Sequence, residues 1–203
     1  AFRALHLLDE EGHVLSTCTD EYTVYLPKTL TSLSAATTAS KGGYQFRKTL
    51  VEHVVINDKL GSIGEYAFAE TPLESVTFGS NSLLRTIGQY ALRQCASLTD
   101  ISVITGNTNY KIENGALIET KGGVTKLVIY PQAKSDQIIY KIPEEVTIID
   151  GYAFYGQTHL KYIQFNSKLT TINEYAFNGM TQLRTITLPS TITKINKEAF
   201  TTC

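Results

Sequence analysis

Histidine and cysteine are the side chains best suited to chemistry near neutral pH. This sequence has four histidines (His6, His13, His53 and His159) and three cysteines (Cys18, Cys95 and Cys203). Nucleophilic catalysis needs a nucleophile beside a base, and a metal site needs ligands at set spacings. No G-x-S-x-G, H-E-x-x-H, C-x-x-C or G-x-x-x-x-G-K-[ST] string occurs. His6 and His13 flank Asp9-Glu10-Glu11-Gly12, a turn signal, at a spacing that matches no ligand motif, and they read as solvated surface. His159 reads as an exposed loop residue before Leu160, and His53 as an isolated residue projecting from a strand. The glycines of Lys41-Gly42-Gly43 and Lys121-Gly122-Gly123 read as turn residues. No catalytic residue, metal site or cofactor is expected, and the chain is not read as an enzyme.

Composition narrows the partners. Eighteen Lys and Arg face 19 Asp and Glu, a net charge of −1 with no long charge run. That argues against nucleic acid and against an electrostatic membrane site. No apolar run approaches the roughly 18 residues that span a bilayer, so no transmembrane segment is expected. Three cysteines make no disulfide framework.

The elements that must position any functional side chain come from an internal repeat. Tyr66-Ala67-Phe68, Tyr152-Ala153-Phe154 and Tyr175-Ala176-Phe177 match in full, while Tyr90-Ala91-Leu92 and Glu198-Ala199-Phe200 differ once each. Ile63, Ile87, Ile149, Ile172 and Ile195 each precede the alanine by four residues. Leu73-Val76-Phe78, Leu98-Ile101-Val103, Leu160-Ile163-Phe165 and Leu183-Ile186-Leu188 follow as L-x-x-[IV]-x-[aliphatic or Phe]. One such copy cannot bury its apolar face alone, whereas stacked copies bury a continuous core. The period-2 ends suit short strands. Phe68, Phe154, Phe177 and Phe200 are expected to stack as an internal ladder, and the column Tyr66, Tyr90, Tyr152 and Tyr175 to stack outside it. Cys95 and Cys203 lie at equivalent repeat positions, as do Thr71, Gln157 and Met180; Cys95 reads as a buried structural thiol.

The pattern L-x-x-I-x-x-x-A-F-x-x-x-x-x-L-x-x-I-x-L-P resembles the BspA-like (treponemal-class) leucine-rich repeat. The likeness is close from about residue 60 to 203, looser over 26–57 and lacking over 1–25. It implies a right-handed solenoid with short β-strands and an irregular, 3-10 or short helical convex side. It also implies a secreted, periplasmic or cell-surface location and a role in adhesion or protein binding, with a host extracellular-matrix protein as the partner.

Residues 1–25 are expected to cap residues 26–203, the solenoid. Ser34 to Gly43 reads as a loop that has replaced the alanine-phenylalanine element of a worn first repeat. Residues 104–145 form a long variant repeat, with Asn114-Gly115 as a hairpin turn and Val124-Leu127-Ile129 repeating the strand spacing. The chain opens without methionine and its last repeat stops at Cys203 before its strand. It is therefore expected to continue, or to be covered there by a second copy or a partner, so that a homo-oligomer through the C-terminal repeat is the rival reading. A third is a carrier of a small apolar ligand near the first repeats. The candidate binding residues are the outward strand positions Glu52, His53, Glu74, Thr77, Asp100, Lys161, Tyr162, Gln164, Arg184 and Thr187. Their charge runs from acidic in the early copies to basic in the late ones. Tyr162 and Arg184 have the side-chain character of interface hot spots.

Overall fold

In the computed structural model, the described residues are 7–8, 14–16, 23–33, 45–102 and 105–203. Among them the chain forms strands and turns and no helix. His6, His13, Cys18 and the Ser34 to Gly43 stretch lie outside the described residues. The chain divides into two compact units, Ala1–Cys95 with Ile101–Asn107, and Ala96–Asp100 with Thr108–Cys203.

In the first unit, β1 (Leu7–Leu8) pairs antiparallel with β2 (Val14–Ser16). The chain then alternates between two parallel sheets. The longer row is β3 (Thr23–Tyr25), β5 (His53–Ile56), β7 (Ser75–Phe78) and β9 (Asp100–Ser102), of which Ile101 and Ser102 belong to this unit. The shorter row is β4 (Ser32–Leu33), β6 (Ser62–Ile63) and β8 (Thr86–Ile87). Chain-sequential strands thus fall on alternate sheets, which is the winding of a β-solenoid. In the second unit, β10 (Tyr110–Glu113), β11 (Ala116–Lys121) and β12 (Val124–Ile129) form an antiparallel meander. It joins β14 (Ile148–Ile149), β16 (Thr171–Ile172) and β17 (Lys194–Ile195) in one sheet of six strands. Its other row is β13 (Ile139–Lys141) and β15 (Tyr162–Gln164), with a single parallel bridge from Tyr162 to Thr185 beyond.

The repeat spacing explains this winding. The isoleucine four residues before each alanine builds the three-stranded row of the first unit and the parallel part of the six-stranded sheet of the second, where Ile149 pairs with Ile172 and Ile172 with Ile195. Leu127 sits opposite Ile149. Val124-Leu127-Ile129 therefore joins the short isoleucine row, a correction to the expected alignment with the L-x-x-I-x-L strands. The hairpin turn stands as expected: Asn114 and Gly115 have φ of 50° and 81°, the left-handed pair of a two-residue turn.

The segments that follow the isoleucine strands are hydrogen-bonded turns, neither 3-10 nor helical. Two left-handed residues four positions apart frame each alanine and the aromatic residue or leucine after it. They are Tyr66 and Glu70, Tyr90 and Gln94, Tyr152 and Gly156, Tyr175 and Gly179, and Glu198 and Thr202, with φ from 54° to 76°. This reversal turns backbone groups toward the neighbouring turn: Phe68 N–H donates to Ala91 at 2.9 Å, and Phe177 N–H to Ala199 at 2.8 Å. A helix would keep those bonds to itself. Left-handed backbone costs an L-residue roughly 1–2 kcal/mol, which the inter-turn hydrogen bonds and ring stacking offset.

Inside, rings stack within each unit. Phe46 lies 5.0 Å from Phe68. In the second unit Phe154, Phe177 and Phe200 follow at 5.1 Å steps, preceded by Tyr130 at 5.5 Å from Phe154. Two ladder members escaped the sequence reading. Phe46 N–H donates to Ala67, as Phe68 does one turn later, so the first repeat keeps its aromatic element after Gly43. Tyr130 takes the same slot in the variant repeat. Of the outer tyrosines, Tyr152 stacks on Tyr175 at 4.9 Å as expected, whereas Tyr66 and Tyr90 meet at 5.2 Å with their rings tilted by 43°.

Candidate binding faces

On the first unit, Val54, Val76, Ile56 and Phe78 are buried, so the alternate residues of β5 and β7 face out. His53 lies opposite Ser75, and Val55 opposite Thr77. Glu52 and Glu74 immediately precede these strands, and Glu74 N–H donates to the Glu52 carbonyl at 2.6 Å. The face therefore gathers Glu52, His53, Glu74 and Thr77. Thr77 Oγ1 lies 3.4 Å from Ser102 Oγ; Asp100, expected with them, is exposed but belongs to the second unit.

His53 is not the isolated residue expected. Its Nδ1 lies 2.9 Å from Ser75 Oγ and its Nε2 3.9 Å from Glu74 Oε2. Serine, histidine and carboxylate are the groups of a hydrolytic triad, but this row lacks the triad's geometry. A carboxylate at 3.9 Å is beyond hydrogen-bond reach and fixes no tautomer. The histidine and glutamate side chains are 40% and 52% exposed, so water competes for every contact. The strand backbone around them is engaged in the sheet ladder. Nearby, an open groove of about 590 Å³ is lined by Tyr25, Pro27, Lys28, Val55, Asp58 and Gly79 among others. A Cβ at position 79 would sit 1.6 Å from Asp58 Oδ1, so any larger residue must displace this carboxylate. The sequence reading missed that groove; its one signal was a glycine ending an apolar strand.

On the second unit, Tyr140 and Ile163 are buried and their neighbours face out. Ile139 lies opposite Tyr162, and Lys141 opposite Gln164. Thr185 continues the first column through its bridge to Tyr162. Lys161 and Arg184 precede these strands in register, joined by the Arg184 N–H to the Lys161 carbonyl at 3.0 Å. Tyr162, Gln164 and Thr187 line an open groove of about 730 Å³ with Ile139, Leu188 and Pro189. The face therefore gathers Lys161, Tyr162, Gln164, Arg184 and Thr187. Sequence reasoning missed Ile139, because Ile138-Ile139-Tyr140 is uniformly apolar and hides its alternation.

The titratable groups with clear perturbation lie away from both faces. Burial pushes the Cys95 thiol up to about 11, against hydrogen bonding from Thr71. Cys95 is buried and unpaired by any disulfide, as expected. Burial opposes ionisation of Glu119, but the Lys126 ammonium and the Tyr110 hydroxyl outweigh it and hold the carboxyl below its ordinary value. The Arg47 guanidinium holds Glu70 low in the same way. Among the described residues no three His, Cys, Asp or Glu side chains group as a metal would require. No described helix is long and apolar enough to cross a membrane.

Comparison with known proteins adds a family and a fold. The profile of the BspA type leucine rich repeat region matches residues 39–119 and 130–203, in six copies. No curated protein matches the chain. Among solved structures, a leucine rich cell surface protein from Faecalibacterium prausnitzii is 24% identical with a TM-score of 0.65. The match covers 89% of this chain and 51% of that one. The pneumococcal vaccine antigen PcpA is 23% identical with a TM-score of 0.59, covering 92% of this chain and 55% of its own. The chain thus spans about half the length of these structures, and at such identities the likeness is one of fold.

Proposed function

Because the chain belongs to the BspA-type leucine-rich repeat family, we propose that it is a non-catalytic protein-binding module, secreted or displayed at a cell surface, whose sheet faces contact partner proteins. The observation that carries this reading is the same in each unit. Register-equivalent residues at the strand entrances carry like charge, Glu52 with Glu74 in the first unit and Lys161 with Arg184 in the second. Like charges held side by side are unfavourable within the fold, so packing does not account for them, whereas recognition of a charged partner does. The surface location draws on the two similar structures, one described as a cell surface protein and the other as a vaccine antigen. The partner we propose is a host extracellular-matrix protein.

The test is binding of the chain to a panel of immobilised host matrix proteins, beside the Arg184→Glu variant. At least one matrix protein should bind, and the reversal should weaken that binding about tenfold, or about 1.4 kcal/mol, without altering the circular dichroism. Silence across the panel would remove the matrix target. Affinity unchanged by the reversal would remove the second unit's face.

Self-association is a second reading, favoured by the opposite charge of the two strand entrances. It predicts a mass that rises with concentration in light scattering. A constant 22.4 kDa would dismiss it. The carrier reading has less support: the groove at Tyr25 is open and carries Lys28, Asp58 and Lys59 on its lining, a poor match for a wholly apolar ligand.

A further inference from the structure

We propose that the sheet face of the second unit takes an acidic segment of a partner protein in extended conformation, an assignment that rests on the protein-binding reading and names the chemistry of the partner.

Three features of the face lead there. The first is its rim. Lys161 and Arg184 sit on adjacent chain segments tied by a 3.0 Å backbone hydrogen bond, and among the described residues neither has a carboxylate partner. The unit pairs Lys111, Lys126, Lys134, Lys141 and Lys197 with carboxylates, while Lys121, Lys168 and Lys194, like Lys161, have none among the described residues. Lys141, on the same face, is held by Glu144 at 3.3 Å. The backbones of Lys161 and Arg184 lie about 4.8 Å apart in the strand-to-strand direction, so two like charges without carboxylate partners share one rim, and a bound carboxylate relieves their repulsion.

The second feature is an apolar lane beside the rim. Ile139 is 44% exposed and Tyr162 39%, beside a groove of about 730 Å³. Exposed large apolar side chains converging on one groove mark a surface that loses water on binding. An aromatic residue and an arginine at its edge are the side chains that most often dominate such contacts.

The third is the period. Outward positions recur every second residue, Tyr162 then Gln164 and Thr185 then Thr187, about 6.6 Å apart along the strand. An extended peptide has the same repeat, so alternate side chains reach the lane while the others reach the rim and solvent. A ligand recognised by charge alone, such as a sulfated glycan, fits less well. It would meet two cations and leave the apolar lane uncovered.

The experiment uses the full chain and two fluorescein-labelled nonapeptides, one alternating aspartate with valine and the other lysine with valine, followed by fluorescence anisotropy. The aspartate peptide should bind and the lysine peptide should not. The double variant Lys161→Glu, Arg184→Glu should lose the aspartate peptide about tenfold or more and gain the lysine peptide. Tyr162→Ser should weaken the aspartate peptide with the rim intact, and all variants should keep the native circular dichroism. Equal binding of the two peptides, no binding of the aspartate peptide, or a preference unmoved by the double reversal would overturn the proposal. So would displacement of the aspartate peptide by a heparin oligosaccharide that binds more tightly and ignores Tyr162→Ser, or a dimer that the peptide fails to dissociate. A silent peptide alongside matrix binding that Arg184→Glu abolishes would sink this inference and leave the protein-binding reading standing.

Discussion

Phe177 is fully buried and walled by rings, with Phe154 and Phe200 stacked at 5.1 Å on either side and Phe165 edge-on at 5.9 Å. Truncation to alanine removes contacts with all three and leaves a void that two neighbouring turns share. Phe177→Ala should therefore cost about 3–5 kcal/mol, read as a shift of the urea midpoint; a loss below about 1 kcal/mol would mean the ladder repacks around the gap. This residue was legible in the sequence because its neighbours repeat at 23 residues. Phe46 and Tyr130 fill the same slot but lacked the alanine that marks it, since Gln45 and Ile129 precede them. Cys95 is a different kind of ladder residue. Its Sγ donates to the Phe68 carbonyl at 3.2 Å, and burial pushes its pKa to about 11. Only the thiolate reacts, so at pH 8 the thiol is overwhelmingly protonated, and it is enclosed. In a Cys18→Ser, Cys203→Ser background, iodoacetamide should leave the native chain unmodified by mass and label it fully in urea. Equal labelling in both would show that the turn opens readily.

At the scale of elements, the turns hold as much information as the strands and gave less away. Buried Asn166 is the clearest case. Its Nδ2 donates to the Val146 carbonyl at 2.9 Å and to that of Pro143, while its Oδ1 accepts from the N–H groups of Lys168 and Leu169, both at 2.8 Å. Four backbone groups of two successive turns thus meet one side chain. In the first unit Asn57 does the same between the Pro27 and Leu30 carbonyls and the Lys59 N–H. In the second, Gln157 ties Lys134 to Leu160. An apolar side chain at position 166 leaves these groups short of partners, and a buried unsatisfied polar group costs about 1–3 kcal/mol. Asn166→Ala should lower stability by about 2–3 kcal/mol in urea unfolding, far beyond the few tenths expected of an exposed asparagine. A change under 0.5 kcal/mol would assign the turn's stability to its backbone alone. Asparagine after a strand reads in sequence only as a generic turn former, so its bridging role was hidden. The two-residue strands of the isoleucine rows were hidden too, being too short to show a period. The left-handed tyrosines gave no warning either, because bulky residues are poor predictors of positive φ.

Over the whole chain, the long gap between Ala91 and Ala153 was read as a variant repeat, and the sheet order bears on why that suffices. β12 pairs with β14, so the antiparallel meander continues the parallel stack of the second unit. The strand positions on both faces were legible, because alternation survives any loop length. The grooves were not, since they depend on how far adjacent segments splay. What ties the meander to the stack is a half-buried polar cluster. Tyr110 on β10 donates to Glu119 on β11 at 2.8 Å, Lys126 on β12 meets Glu119 at 2.8 Å, and Lys126 meets Asp150, just past β14, at 3.6 Å. Asn173 donates to the same aspartate at 3.1 Å, and Asn196 to Asn173 at 2.8 Å, carrying the row onward. The cluster gives the fold a pH window whose sign follows from its two ends. Glu119 is held below its ordinary 4.5, so its contribution is complete above that value and is lost as pH falls through the folded-state value. Lys126 is held above its ordinary 10.5 by the carboxylates of Glu119 and Asp150, which outweigh its burial. Its contribution is complete below 10.5 and is lost as pH rises through the folded-state value. Glu119→Gln keeps the shape and removes the charge. At pH 7 it should cost about 1–3 kcal/mol, the range for a hydrogen bond to a charged group. As pH falls below about 4 the urea midpoints of variant and parent should converge, because the parent's carboxyl then takes up its proton. A gap that persists undiminished to pH 3 would show that the Glu119 charge does not hold the meander, and that the backbone ladder between β12 and β14 does so alone.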